Sequence, residues 1–534
     1  MSASSKKKLR AEDNAARLTE RQLAQAKEDK KVRLYTAAFA VVMALIVVVA
    51  LVAGVNQAIT SRGIRERKTT ALTLNEHTLS NAELNYFFVD AVNNFYSQNG
   101  SYAAMFGLDL TKPLDQQVMS EESGETWADY FLETAEENAR AAYAMADEAE
   151  AAGFTLSAED QESIDTIPYN LETYAKLYGL SDAKAYVKAM YGRGATVESF
   201  QEYVRMNTLA SEYQTSYKDS LTYDDNTINA KDAEDPNAYS SYSYSQYYLS
   251  TSRYLTDDAT AEEKAAAAEA DAKALTADTI TTTEELDAAI AALEVNKELT
   301  SSASSFYANQ RYVSVNSNLI DWISDASRKE GDRTYIANTS TTTDDNGQEV
   351  TTVSGYYVVY FHKALDNRFP LVNVRHILVA FEGTTDENGS TVYTDEAKAA
   401  AKSTAQDLLA QWKAGDATEE SFAALATENS ADTGSVSNGG LYEDVYPGQM
   451  VTAFNDWCFA EGRKAGDTNI IETEYGYHVM YFSGNTDYTY REYLITNDLA
   501  DDDFTVWYTN LVDAVTMTEG NTKYVSTDLV LQNS

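Results

Sequence analysis

The spacing of hydrophobic positions changes character along the chain, and each change marks a new element type. Leu34 to Val55 has no spacing at all: it reads L-Y-T-A-A-F-A-V-V-M-A-L-I-V-V-V-A-L-V-A-G-V, without a charge. A helix of that length crosses a ~30 Å hydrocarbon core at ~1.5 Å per residue. From Thr73 to about Asp225 apolar residues recur every three or four positions, as in A-E-L-N-Y-F-F-V-D-A-V-N-N-F-Y, which predicts amphipathic helices. Ser80 with Glu83 predicts a capping-box start. Y-G-R-G-A-T at 191–196 reads as a turn between helices, because no strand-like run leads into it as a phosphate loop requires. Further on, short runs of strand character appear, such as G-Y-Y-V-V-Y-F from Gly355 and G-Y-H-V-M-Y-F from Gly476. A last helical run extends from Tyr488 to about Thr518.

Those two strands belong to an internal repeat. T-A-E-E-K-A-A-A from Thr260 matches T-D-E-A-K-A-A-A from Thr394, and T-E-E-L-D-A-A-I-A from Thr283 matches T-E-E-S-F-A-A-L-A from Thr418. D-W-I-S-D-A-S-R-K-E-G-D from Asp321 matches D-W-C-F-A-E-G-R-K-A-G-D from Asp456. The offset is 134 or 135 until an insertion around Asn346-Gly347, a hairpin signal, after which it is 121. Four blocks in one order predict a duplicated α+β unit, each copy reading strand, helix, helix, loop, short helix, strand.

Charge orients the chain. Residues 1–33 hold ten Lys/Arg against five Asp/Glu, whereas the whole chain has net charge −42. A basic flank stays on the cytoplasmic side of a span, so the chain after about residue 60 is expected outside the membrane, held by an uncleaved signal-anchor. The acidic surface argues against nucleic acid, which needs clustered cations. A single cysteine, Cys458, excludes an intrachain disulfide and a cysteine metal site, and four scattered histidines leave no metal or cofactor expected. Cys458 follows Trp457 in a helix-like run and is expected as a buried thiol. D-D-N-G at 344–347 and D-E-N-G at 386–389 lack the spaced ligands of a calcium loop and read as turns.

The second copy carries the candidate chemistry. V-N-V-R-H-I-L-V-A-F opens it with His376, and the strand from Gly476 closes it with His478. Alternation aims both imidazoles into one apolar layer if the two strands are neighbours. The ordered motifs V-R-H-I-L-V, N-S-A-D-T-G-S, G-G-L-Y, P-G-Q-M-V-T-A-F and Y-G-Y-H-V resemble the parvulin family of peptidyl-prolyl isomerases. The resemblance implies a four-stranded antiparallel sheet wrapped by helices. It also implies a site of His376, Asp432 and His478, with Met450, Phe454, Gln449, Tyr442 and Thr473 as the substrate-binding set. Tyr442 stands where the family commonly has Leu, and Val445 where an aromatic is common, which bears on substrate preference. In the first copy no histidine occurs between His77 and His362. Tyr357 falls at His478, Lys297 at Asp432, Val315 at Met450 and Leu319 at Phe454. Trp322 and Arg328 persist, so the scaffold is retained without the pocket.

The whole layout is similar to PrsA/SurA-type foldases. The expected fold class is α+β: an N-terminal transmembrane helix, a helical chaperone-like domain, two tandem parvulin-like domains and a C-terminal helix. The expected boundaries are a cytoplasmic tail at 1–33, a signal-anchor at 34–55, a helical domain at 72–228, a degenerate parvulin-like domain at 235–366, an active parvulin domain at 371–485 and a helical segment at 486–534 that packs back on the helical domain. The expected function is isomerisation of X-Pro bonds in exported polypeptides, with chaperone-like client binding by a membrane-anchored extracytoplasmic protein. The alternative is a non-catalytic chaperone or surface-assembly protein that uses parvulin folds as binding modules.

Overall fold

A computed structural model describes residues 60–527 apart from 101, 255–257, 300, 344–346 and 386–390, together with Lys7 and Gln57. Apart from Lys7, the expected tail and span, 1–33 and 34–55, lie outside the described residues. Among the described residues no helix is long and apolar enough to cross a membrane. The described chain forms two compact units, one of residues 60–221 together with 503–527, the other of 222–502.

The first unit opens with a short helix, α1 (Ile64–Lys68), and a hairpin, β1 (Thr70–Leu74) and β2 (His77–Ser80). Helical spacing alone did not announce this hairpin. Strands of four and five residues hold too few positions to show a period of two. Six helices follow: α2 (Asn81–Asn99), α3 (Trp127–Ala151), α4 (Ala158–Asp165), α5 (Ile167–Leu177), α6 (Ala183–Tyr191) and α7 (Val197–Ser220). The expected capping box is present: the Ser80 hydroxyl accepts from the Glu83 amide, and the Glu83 carboxylate accepts from the Ser80 amide at 2.7 Å. Y-G-R-G-A-T joins α6 to α7 as a turn. Leu84 and Phe88 of α2 pack on Phe131 and Ala135 of α3. The chain's end completes this core. Leu511, Val512 and Val515 join it, and the strand Met517–Glu519 pairs antiparallel with β1.

The second unit starts with α8 (Asp225–Glu234) and holds two four-stranded antiparallel sheets. The first runs through β3 (Ser241–Ser250), α9 (Ala261–Leu275), α10 (Thr283–Ala292), β4 (Ser305–Arg311), α11 (Ile320–Ile323), β5 (Arg333–Thr343) and β6 (Glu349–Leu365). The second runs through β7 (Pro370–Ala380), the small hairpin β8 (Thr384–Thr385) and β9 (Thr391–Val392), α12 (Asp395–Ala414), α13 (Glu419–Asn429), β10 (Leu441–Val445), α14 (Thr452–Cys458), β11 (Thr468–Glu472) and β12 (Gly476–Thr489). The sheet orders are β4-β3-β6-β5 and β10-β7-β12-β11. Strand for strand, these are the same order. The edge strands β4, β5, β10 and β11 are what the repeat reading lacked.

Alternation sorts the second sheet into two layers. Ile377, Val479 and Tyr481 face Ala405, Leu408, Trp412 and Phe422 of α12 and α13. Val374, Met480 and Phe482 face Phe454, Trp457 and Cys458 of α14. The Cys458 thiol is buried there, and burial pushes its pKa up to about 12. Trp457 lies under the Arg463 guanidinium at 4.1 Å, and Trp322 of the first sheet's unit lies under Arg328 at 4.8 Å. The same cation–aromatic brace therefore stands in both copies.

The last helix, α15 (Tyr490–Asp513), begins in this unit, where Tyr490, Leu494 and Ile495 pack on Tyr239 and Leu371. Arg491 is 3% exposed. Its Nε donates to Asp232 at 2.7 Å, and its remaining donors reach the carbonyls of Pro236 at 2.7 Å and Asp366 at 3.2 Å. Asp232 keeps a second, more exposed partner in Arg368, but without Arg491 the Pro236 and Asp366 carbonyls lose their buried donor and half of an ion-pair network is gone. Arg491→Ala is expected to destabilise the second unit by about 3–5 kcal/mol, measured as the urea unfolding midpoint of the chain. A loss within about 1 kcal/mol would match an exposed pair instead.

Candidate functional site

The register of β7 on β12 sets the site. His376 lies opposite Met480, and His478 lies opposite Leu378, so the histidines are diagonal neighbours on one face. Both are buried, at 3% and 5% exposure. Their Nδ1 atoms are 2.9 Å apart and their rings are within 17° of parallel. Gly440 lets the backbone close on this point. Its φ is +71°, its carbonyl accepts from the His376 amide at 2.8 Å, and a Cβ there would stand 2.1 Å from the His376 carbonyl oxygen. Only glycine fits such an approach.

Each outer imidazole nitrogen has its own partner. His376 Nε2 is 2.8 Å from Asp432 Oδ2 and 3.2 Å from Ser435 Oγ. His478 Nε2 is 2.8 Å from Thr473 Oγ1. The hydroxyls of Ser435 and Tyr442 both donate to Asp432 Oδ2, the latter at 3.0 Å. The loop bearing Asp432 is fastened to β7. The Ala431 amide donates to the Leu378 carbonyl at 2.9 Å, and the Leu378 amide donates to Ser430 Oγ at 3.1 Å.

Donor and acceptor roles follow from Asp432. An ionised carboxylate only accepts, so His376 Nε2 carries a hydrogen. A neutral His376 then has a bare Nδ1 and accepts from Nδ1–H of His478. The bare Nε2 of His478 accepts from Thr473, whose oxygen accepts from the Tyr475 amide at 3.2 Å. All bonds in the row point toward Asp432. The hydrogen bonds from His376, then Ser435 and Tyr442, hold the Asp432 carboxyl well below the usual range, against its partial burial. Burial, with the neighbouring His376, pushes His478 down to about 4. Burial and Asp432 push the Tyr442 hydroxyl up to about 12.

Apolar side chains cover this polar row. The Phe454 ring stands edge-on to both imidazoles, with centroids 5.4 and 5.7 Å away. Met450 is half-buried in the same cluster. Of the residues expected from sequence, His376, Asp432, His478, Thr473, Tyr442, Phe454 and Met450 gather here. Gln449 is exposed, and its Oε1 accepts from the Tyr446 amide at 3.1 Å, closing the loop before α14. Tyr442, expected in the substrate-binding set, gives its hydroxyl to Asp432. Ser435 was missed. It closes the N-S-A-D-T-G-S run three residues after Asp432, the spacing at which a serine hydroxyl reaches back to an aspartate.

The first sheet shows what stands at the same places. Val359 lies opposite Gln246, and Phe361 opposite Tyr244. That register puts Gln246 where His376 is and Tyr357 where His478 is. Val315 and Leu319 pack under Tyr244, Val359 and Phe361 as Met450 and Phe454 pack in the second copy. Lys297 pairs with Glu294 on its own turn. His362 bonds the Ser245 hydroxyl at 2.9 Å.

Residues 360–485 match the family described as the PPIC-type PPIASE domain. Residues 360–485 are a parvulin-type peptidyl-prolyl isomerase domain. Every member of the polar row lies inside it. Foldase protein PrsA 1 of Listeria innocua is 34% identical over 111 residues, which are 21% of this chain and 30% of that one. Foldase protein PrsA of Caldanaerobacter subterraneus is 33% identical over 119 residues, 22% of this chain and 30% of that one. The match thus spans under a third of the length of these relatives. The crystal structure of PrsA from Bacillus subtilis aligns over 88% of this chain and 100% of that one, at 13% identity and a TM-score of 0.25. A peptidylprolyl isomerase (PrsA) structure from Bacillus anthracis aligns over 28% and 59%, at 20% identity and a TM-score of 0.17.

The depressed His478 gives a pH signature. In the fold it stays neutral down to about pH 4, whereas unfolded it binds a proton near 6.5. The unfolded state therefore holds more protons between those values, and stability falls as pH falls through them. It is full above about 6.5 and levels off below about 4. His478→Gln is expected to flatten the decline of the urea midpoint across that window. An unchanged slope would contradict a neutral buried imidazole.

Proposed function

We propose that the chain is a membrane-anchored, extracytoplasmic foldase that isomerises X-Pro bonds in exported polypeptides through residues 371–485. The paired imidazoles, with Nδ1 atoms 2.9 Å apart beneath Phe454, carry this reading. The uncharged run 34–55 behind a basic tail supports the anchor. The foldase names of the relatives support the client class.

Rotation about an X-Pro bond meets a barrier of about 18–20 kcal/mol, because amide resonance is lost on the way. No covalent bond needs to break. A catalyst has only to bind the twisted amide better than either planar form, and each 1.4 kcal/mol of that preference is worth about tenfold in rate. Met450 and Phe454 would hold the proline ring and keep water out. Asp432, His376, His478 and Thr473 form the polar floor that meets the twisting amide, with Ser435 and Tyr442 fixing Asp432. Gln449 shapes the rim. The row has no activated nucleophile, which suits a reaction without one.

The first sheet and its helices, 235–366, are a duplicated parvulin-like module without catalysis, kept for binding or spacing. Its strand order and Trp–Arg brace match the second copy, while Gln246 and Tyr357 replace the imidazoles. The helical part at 72–228 and the returning segment at 486–534 would serve client binding.

The test is proline isomerisation in a short X-Pro peptide by residues 62–534 and by the double variant His376→Ala with His478→Ala. Wild type should exceed the uncatalysed rate, whose time constant is about 10–100 s, and the variant should fall to it. The variant keeps the first copy whole, so catalysis surviving in a folded variant would place the activity there instead. Wild type at the uncatalysed rate would leave two binding modules.

A further inference from the structure

The first unit holds a cavity of about 390 Å³ between β2, α2, α3 and α7, which the isomerase reading does not use. Its walls are aromatic: Tyr86, Phe87, Tyr143 and Tyr203. Tyr203 stacks on Tyr86 at 5.1 Å and meets Phe87 edge-on at 4.9 Å, so the rings are fixed by each other. Behind the wall, Asp90 accepts from the Tyr203 hydroxyl at 2.5 Å. The rim is acidic, with Glu83, Asp147, Glu150 and Glu202 against one guanidinium, Arg205. Arg205 is already committed to Glu202 by contacts of 2.7 to 3.1 Å. His77 is held by Asp147 at 2.8 Å. Glu150 is exposed and makes no side-chain hydrogen bond or ion pair among the described residues.

We infer that this cavity receives a lysine or arginine side chain of a bound polypeptide. Aromatic faces attract a cation through their quadrupoles, and the methylene stem of such a side chain packs on the same rings. The carboxylate rim takes the charged head. Burial, with Glu83, Glu202 and Asp147 nearby, raises the Tyr143 hydroxyl to about 12, which agrees with a negative field there. An anion would meet four carboxylates. A metal ion lacks a seat, because no three His, Cys, Asp or Glu groups among the described residues converge in metal-binding geometry. The inference rests on the reading that the chain handles polypeptides, and not on the isomerase step.

The probe is an acetylated, amidated Gly-Ser peptide with one central photo-lysine, a diazirine that keeps the ammonium. The control carries the neutral photo-methionine instead. Each is irradiated with the full chain, and the adducts are mapped by mass spectrometry. The photo-lysine peptide should label residues 143–150 or 199–206 about tenfold more than the control, and salt should weaken it. Glu150→Lys should lower that labelling about tenfold while X-Pro isomerisation stays unchanged. Equal labelling by both peptides, labelling only elsewhere, or no effect of Glu150→Lys would overturn the inference. Isomerisation in the same preparation depends on His376 and His478, so its loss would count against the foldase reading alone.

Discussion

The hydrogen bond between two buried imidazoles is the constraint on which the second sheet's site depends. Two neutral rings bond through facing nitrogens only if one donates and the other accepts. Asp432 resolves the choice from one side and Thr473 accommodates it from the other. Everything near the row serves that arrangement. Gly440 admits the close backbone, Ser435 and Tyr442 donate to the carboxylate, and Phe454 covers both imidazoles beside Met450. Low local polarity strengthens such bonds and makes an unpaired group costly, so the row is ordered as a whole.

The two copies separate what the fold needs from what the site needs. Both keep the same strand order, the short helix beneath the sheet and a tryptophan under an arginine. The first copy dispenses with the imidazoles. Gln246 and Tyr357 stand in their places, and the Tyr357 hydroxyl accepts from Asn316 at 3.2 Å. A four-stranded sheet of this order therefore forms without a buried imidazole pair at its centre.

Much of this was legible in the sequence for identifiable reasons. The sequence repeat showed because four blocks kept their spacing, and the two sheets it spans share one strand order; alternation around His376 and His478 fixed which face they share. Ser80 and Glu83 announced the first long helix through a three-residue spacing with one physical meaning. The hairpin β1–β2 and the edge strands β10 and β11 were too short for a period to show. Ser435 was hidden because a serine after an aspartate is common in turns, and only the fold shows that its hydroxyl also lies against His376. The position of Tyr442 in the G-G-L-Y motif carried no signal for the hydrogen bond its hydroxyl makes to Asp432. Gln449 carried no local signal that would separate a loop-closing amide from a substrate contact.

The most direct measurement is the nitrogen-15 chemical shift of the two imidazoles at neutral pH, in a chain labelled only at histidine. A protonated Nε2 and bare Nδ1 are expected on His376, and a protonated Nδ1 and bare Nε2 on His478. Mobile imidazoles averaging both tautomers, or a bare Nε2 on His376, would contradict this arrangement.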